Sequence, residues 1–141
     1  MVYVDTSVLV ALMANEPHSE SVARWYAGTK AELVCATWGV TEFASALGIK
    51  QRTGQMDTAQ AHAAWDRFGR LVANDVRLLP VDPADFHRAA TLVLDVASSL
   101  RAGDALHLAC ALQAGARGIA TLDQVLGRNA LRLKIKPVAI G

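Results

Sequence analysis

The stretch from Met1 to Ala14 constrains the fold more than any other. Val2-Tyr3-Val4 has the β-branched and aromatic composition of a buried strand. Asp5-Thr6-Ser7 interrupts it with three small polar groups, and Val8 to Ala14 resumes as an apolar segment of helical composition. A buried strand that ends on an acid and turns straight into a helix is the opening of an α/β sheet. Ligands gather beyond the carboxyl ends of strands in such sheets, which places Asp5 where function is usually found. Asp, Thr and Ser are also good helix N-caps, so this stretch alone leaves both roles of Asp5 open.

The alternation continues along the chain. His18 to Ala27 predicts a short helix, with Val22, Trp25 and Tyr26 as its apolar stripe and Gly28 as its C′ residue. Leu33 to Ala36 is apolar without alternation, as expected of a strand covered on both faces. Thr37 is a candidate N-cap for a helix to about Lys50, and Gly48 to Gly54 reads as a basic, glycine-bounded connection. Asp57 and Thr58 begin a longer helix to about Asn74, whose apolar face is Ala61, Ala64, Trp65, Phe68, Leu71 and Val72. Val76 to Val81 predicts a third strand. Asp82-Pro83-Ala84-Asp85 starts a helix to about Ser98, with both acids as capping residues. A helix from near Arg101, a strand from Gly118 to Thr121 and an edge strand from Pro137 to Ile140 complete the pattern. Strands alternating with helices predict a three-layer α/β/α sandwich with a central, mainly parallel sheet, organised as one domain over residues 1–141.

Composition narrows the function classes. The apolar run from Val8 to Ala14 is too short to span a bilayer, and an acid precedes it in place of a basic leader segment. Cys35 and Cys110 lack C-x-x-C spacing and read as buried reduced thiols, so a cytoplasmic location without a membrane partner is expected. The net charge of +1 gives no overall basic signature for nucleic acid. After Asp123, however, the chain carries Arg128, Arg132, Lys134 and Lys136 and no acid. Such a run is ordinarily a solvated face; Arg128 and Arg132 are its candidate contacts to phosphate groups.

Right-handed crossovers bring every strand's carboxyl end to one rim. Asp5 and Asp123 then both sit just past strand ends, while Glu42 and Asp104 lie in early turns of helices. Each has a plain alternative: a cap for Asp5 and Asp123, an ordinary exposed helix residue for Glu42, a dipole-favoured first-turn acid for Asp104. His107 reads as a packed, hydrogen-bonded residue rather than a ligand. Four carboxylates in one cleft with no matching lysines or arginines call for a cation, and an oxygen-only donor set suits Mg²⁺ or Mn²⁺. No zinc spacing, G-x-x-x-x-G-K-[ST] loop or G-x-S-x-G elbow is present.

Val-Asp5-Thr6-Ser7, a helical Glu42, Leu-Arg101-Ala-Gly-Asp104-Ala-Leu-His107-Leu-Ala and Thr121-Leu-Asp123 together resemble the PIN-domain family. In length and detail they resemble the VapC-type toxins of type II toxin–antitoxin pairs. The resemblance spans essentially the whole chain, and the segment around Asp104 is its most specific part. It implies that Asp5, Glu42, Asp104 and Asp123 form an acidic site holding Mg²⁺ or Mn²⁺ for endonucleolytic cleavage of RNA. Thr6 and Thr121 match hydroxyl positions that support the site. The family also implies a homodimer and a protein antitoxin that occludes the cleft.

Two rival readings have different chemistry. A phosphoacceptor receiver domain shares the length, the acidic Mg²⁺ pocket and a pair like Lys136-Pro137, but this chain has a single acid after its first strand. An Asp-x-Asp phosphatase is excluded by Ser7. A non-catalytic PIN-like binding module is the remaining alternative.

Overall fold

Strands of two to four residues can persist only inside a sheet whose two faces are both covered, and that is how this chain uses them. The computed structural model describes residues 1–141. It runs β1 (Val2–Val4), α1 (Thr6–Met13), α2 (Ser19–Gly28), β2 (Leu33–Ala36), α3 (Trp38–Arg52), α4 (Thr58–Asn74) and β3 (Val76–Leu79). There follow α5 (Pro83–Leu94), a 3₁₀ turn (Val96–Ser98), α6 (Ala102–Ala114), β4 (Gly118–Ala120), α7 (Gln124–Arg132) and β5 (Lys136–Pro137). The strands form one sheet in the order β3-β2-β1-β4-β5, every pair parallel.

Side chains alternate between two apolar layers. Tyr3, Val34, Ala36 and Ile119 point to the layer built by α5, α6 and α7, with Leu106, Leu108 and Leu126 among its members. Val4, Leu33, Cys35 and Ala120 point to the layer built by α1 to α4, where Phe43 and Phe68 stack 4.2 Å apart. The expected three-layer α/β/α sandwich is therefore present. The strand order also separates it from a receiver domain, in which the third strand neighbours the first; here β2 lies between β1 and β3. From β1 the chain moves outward through β2 to β3, then returns to the other side of β1 as β4. The switch in direction opens a crevice beyond the carboxyl ends of β1 and β4. No helix is long and apolar enough to cross a membrane.

Several boundaries differ from the sequence expectation, each for a local reason. The stretch expected as a connection from Gly48 is helical through Arg52, because Lys50 is drawn inward and paired with Glu16 at 2.6 Å. Gly28 lies inside α2, and the carbonyl of Trp25 is capped by the Thr29 N–H instead. Thr37 precedes α3 in helical conformation and makes no side-chain cap. β3 stops at Leu79, two residues short of Val81. α5 stops at Leu94, where Asp95 is extended and the Ser98 hydroxyl donates back to the Leu92 carbonyl. The last strand is only Lys136–Pro137, an edge position that tolerates a proline without an N–H.

α3 approaches β2 closely through Gly39, where an added Cβ would lie 2.6 Å from Cys35 Sγ. Overpacking of this kind costs about 1–3 kcal/mol, more than the helix preference for alanine returns. Gly39→Ala should therefore lower the urea midpoint of unfolding, and adding Cys35→Ala should recover part of the loss. Equal or greater stability of the single variant would show that α3 can move off the sheet.

Candidate active site

The junctions β1–α1 and β4–α7 meet beyond the paired residues Val4 and Ala120. Asp5 N-caps α1: its Oδ1 accepts from Val8 N–H at 3.2 Å and from the Ser7 hydroxyl at 2.6 Å. Its Oδ2 accepts from the Thr121 hydroxyl at 2.5 Å. Both hydroxyls act twice, because Ser7 Oγ accepts from Leu122 N–H and Thr121 Oγ1 accepts from Asp123 N–H, each at 3.0 Å. Asp123 in turn caps α7, its Oδ1 accepting from Val125 and Leu126 N–H. The cap reading of Asp5 and Asp123 is thus correct, and capping is also what holds the two acids at one rim.

Glu42 enters from α3. Its Oε1 accepts from the Thr6 hydroxyl at 2.6 Å and also meets His107 Nε2. The partners absent from its own helical face come from α1 and α6, so it is not an ordinary solvated glutamate. His107 is buried, as expected, and its Nδ1 lies 2.6 Å from the Tyr3 hydroxyl. Asp104 stands in the first turn of α6, one turn before His107, and no intramolecular hydrogen bond ends on its carboxylate.

The acids feel one another. Burial pushes the Asp5 carboxyl up, against the pull of the Ser7 and Thr121 hydroxyls. Burial also pushes Asp104 up; the nearby Asp123 adds to it, as do Asp5 and Glu42 more weakly, while His107 offsets part. Burial opposes the charge on Glu42 as well, yet the His107 ring and the Thr6 hydroxyl hold its carboxyl below the usual range. A divalent cation fits this donor set in kind. The oxygens not bonded to Ser7, Thr6, Thr121, His107 or a backbone N–H are both of Asp104, Oδ2 of Asp123 and Oε2 of Glu42, the last beside the otherwise unpartnered indole N–H of Trp38; Mg²⁺ is commonly held by one or two carboxylates plus waters. As placed, no three Asp, Glu, His or Cys side chains converge on a single ligand point.

Thr6 and Thr121 both bond directly to site acids, and Arg128 and Arg132 are exposed on α7 as the basic run suggested. Sequence reasoning missed Ser7 as a second brace of Asp5, and Tyr3 as the partner of His107. It also missed Gly103, where a Cβ would stand 2.9 Å from Glu42 Oε2. A tyrosine inside a short apolar strand was the available signal, since a buried hydroxyl must find a partner.

The raised acids give a pH prediction. Asp5 and Asp104 bind protons more tightly folded than unfolded. Their stabilising contribution is therefore present below the unfolded value of 3.8 and lost as pH rises through the folded values. Glu42 acts oppositely, its contribution being lost as pH falls below 4.5 through its lowered folded value. Without divalent metal at neutral pH, Asp104→Asn should melt no lower than wild type, and the gap should close as pH falls toward 3.8. A lower-melting variant at neutral pH would contradict the crowding of these acids.

Among solved structures the chain is similar to VapC20 of Mycobacterium tuberculosis, a Sarcin-Ricin loop cleaving toxin: TM-score 0.75, 15% identity, covering 92% of this chain and 95% of that one. It is also similar to FitAcB of Neisseria gonorrhoeae, with TM-score 0.73 and 16% identity over 99% of this chain and 97% of that one. VapBC2 of Rickettsia felis, solved with a DNA fragment from its promoter, gives TM-score 0.69 at 12% identity, with both chains fully covered. These likenesses concern the fold. No curated protein sequence matches the chain. A family model for the PIN domain matches residues 2–131, nearly the whole length, and the protein belongs to the PIN-domain family.

Proposed function

We propose that the protein is a Mg²⁺- or Mn²⁺-dependent endoribonuclease that hydrolyses RNA phosphodiester bonds as the cytoplasmic toxin of a type II toxin–antitoxin pair. The observation that carries the reading is the gathering of Asp5, Glu42, Asp104 and Asp123 around the β1–β4 crevice, where burial first, and then the neighbouring Asp123, raise the proton affinity of Asp104. No lysine or arginine is paired with any of these four acids. PIN domains are nucleases, and the similar VapC20 is a cleaving toxin. The free cysteines Cys35 and Cys110 suit a reducing compartment.

A bound divalent ion would supply an acidified water and neutralise charge on the scissile phosphate. The protein's own part is to hold and orient. Asp104, with both oxygens open, and Asp123 and Glu42, with one each, are the groups that would hold the ion and direct the attacking water. Asp5, buried and braced by three donors, fixes the floor of the cleft and the positions of Thr121 and Asp123. A groove of about 320 Å³ beside Thr6 and Ser7 is lined also by Val10, Leu122, Glu16 and His18, among others. It lies next to the Asp5–Thr6–Ser7 turn and is where an antitoxin segment would be seated. Phe86, Val93, Leu94 and Val96 leave apolar surface on α5 and the turn after it, Leu94 at 80% exposure, and a homodimer through that face would cover it.

Cleavage of RNA in Mn²⁺, abolished by a chelator, is the primary test; binding without cleavage would identify a non-catalytic module. Asp5→Asn and Asp104→Asn should each abolish metal-dependent cleavage in protein whose circular dichroism is unchanged. Wild-type rates from both would refute the assignment. Replacing Arg128 and Arg132 by Gln should weaken RNA binding more in low salt than in high. The slope against log salt should fall by roughly 0.7 for each phosphate that is no longer neutralised. An unchanged slope would return these arginines to an ordinary solvated face.

A further inference from the structure

The donors and acceptors around His107 form a closed chain that ends on Glu42. The Thr6 hydroxyl has one proton and gives it to Glu42 Oε1, so in its 3.2 Å contact with His107 Nε2 the threonine oxygen accepts. Both neighbours of Nε2 are therefore acceptors, and Nε2 carries a proton. On the other side of the ring, the Tyr3 oxygen accepts from Ala36 N–H at 3.0 Å and keeps its own proton for His107 Nδ1, 2.6 Å away. Tyr3 is 0% and His107 1% exposed, so neither can exchange these partners for bulk water. Their rings meet edge to face, 5.6 Å apart.

We propose that Tyr3 and His107 are positioning residues for Glu42: they consume Oε1 and leave Oε2 as its single working oxygen in the cleft. The proposal rests on the nuclease reading above. Tyr3 selects the tautomer of His107, as a partner hydrogen-bonded to the far nitrogen of a histidine does in general. His107 and Thr6 together fix the carboxylate plane of Glu42. Gly103 completes the arrangement by omission, since a Cβ there would meet Oε2 at 2.9 Å. The same link joins the acid of α3 to the helix bearing Asp104, one turn before His107. A histidine serving packing alone would not need its donor nitrogen aimed at a site carboxylate.

The test is a double-mutant cycle between His107→Leu and Glu42→Gln. It is read as kcat for RNA cleavage and as Mn²⁺ affinity by titration calorimetry, with near-ultraviolet dichroism checking the fold. His107→Leu should lower kcat and weaken Mn²⁺ binding by about 10- to 100-fold, the usual cost of losing a partner behind a metal ligand. In the Glu42→Gln background the same change should cost less than about threefold, because its route to the cleft is already cut. His107→Gln, whose amide N–H can stand near the Nε2 position, should restore most of both quantities. If His107→Leu does not fold, the Tyr3→Phe and Glu42→Gln cycle decides in the same way. Wild-type kcat and Mn²⁺ affinity in the His107 or Tyr3 variant, or full additivity with Glu42→Gln, would overturn the proposal. Wild-type cleavage by Glu42→Gln itself would overturn the nuclease role of this acid, and the proposal with it.

Discussion

The Thr121 hydroxyl donates to Asp5 Oδ2 across the end of the paired strands β1 and β4, and the geometry of the cleft depends on that contact. It links the N-cap of α1 to the junction preceding α7. With Ser7 reaching Leu122 N–H from the other side, the two helix starts cannot drift apart. Asp5, Thr6, Thr121 and Asp123 are placed by this clasp, and Glu42 is then reached through Thr6. The parallel register makes the clasp possible, because it brings both strand ends to the same height at the point where the sheet reverses direction.

A buried carboxylate is a cost that the fold has to offset. Asp5 is 3% exposed and its charge is disfavoured by burial, yet it receives three hydrogen bonds, two from hydroxyls and one from a backbone N–H. Two apolar layers of similar size, clusters of 16 and 15 buried residues, flank the sheet, so strands as short as β1 and β4 are clamped from both sides. The polar site thus occupies one edge of an otherwise dry sheet. The unfavourable crowding of acids is confined to a rim that solvent or a cation can reach.

Much of this was legible in the chain. β1 and β2 are continuous apolar runs, and α4 shows a clear helical period with a capping acid; in the folded chain the Gln60 side chain answers Asp57 to complete a capping box. Such features are local, and local composition reports them. What the sequence did not disclose was set by partners far along the chain. The strongest partners of Glu42 are remote in sequence: Thr6 lies 36 residues before it and His107 65 after it. Tyr3 and His107 are 104 residues apart, so neither hydroxyl nor ring announced the other. The inward turn of Lys50 toward Glu16, just before α3 ends at Arg52, is likewise a contact between elements. Other boundaries shifted for local reasons, as where Thr29 N–H captures the Trp25 carbonyl and the Ser98 hydroxyl reaches that of Leu92.

The central proposal is that Asp104, Asp123 and Glu42, gathered at one crevice over the floor that Asp5 and the β1–β4 clasp provide, hold a divalent metal ion. Crystals of the protein soaked in Mn²⁺ and measured at the manganese absorption edge test it most directly. An anomalous peak is expected in the crevice bounded by Asp5, Glu42 Oε2, Asp104 and Asp123, together with its loss in Asp104→Asn crystals. A strong Mn²⁺ peak elsewhere on the molecule with none in the crevice, or a crevice peak unaltered in Asp104→Asn, would contradict it.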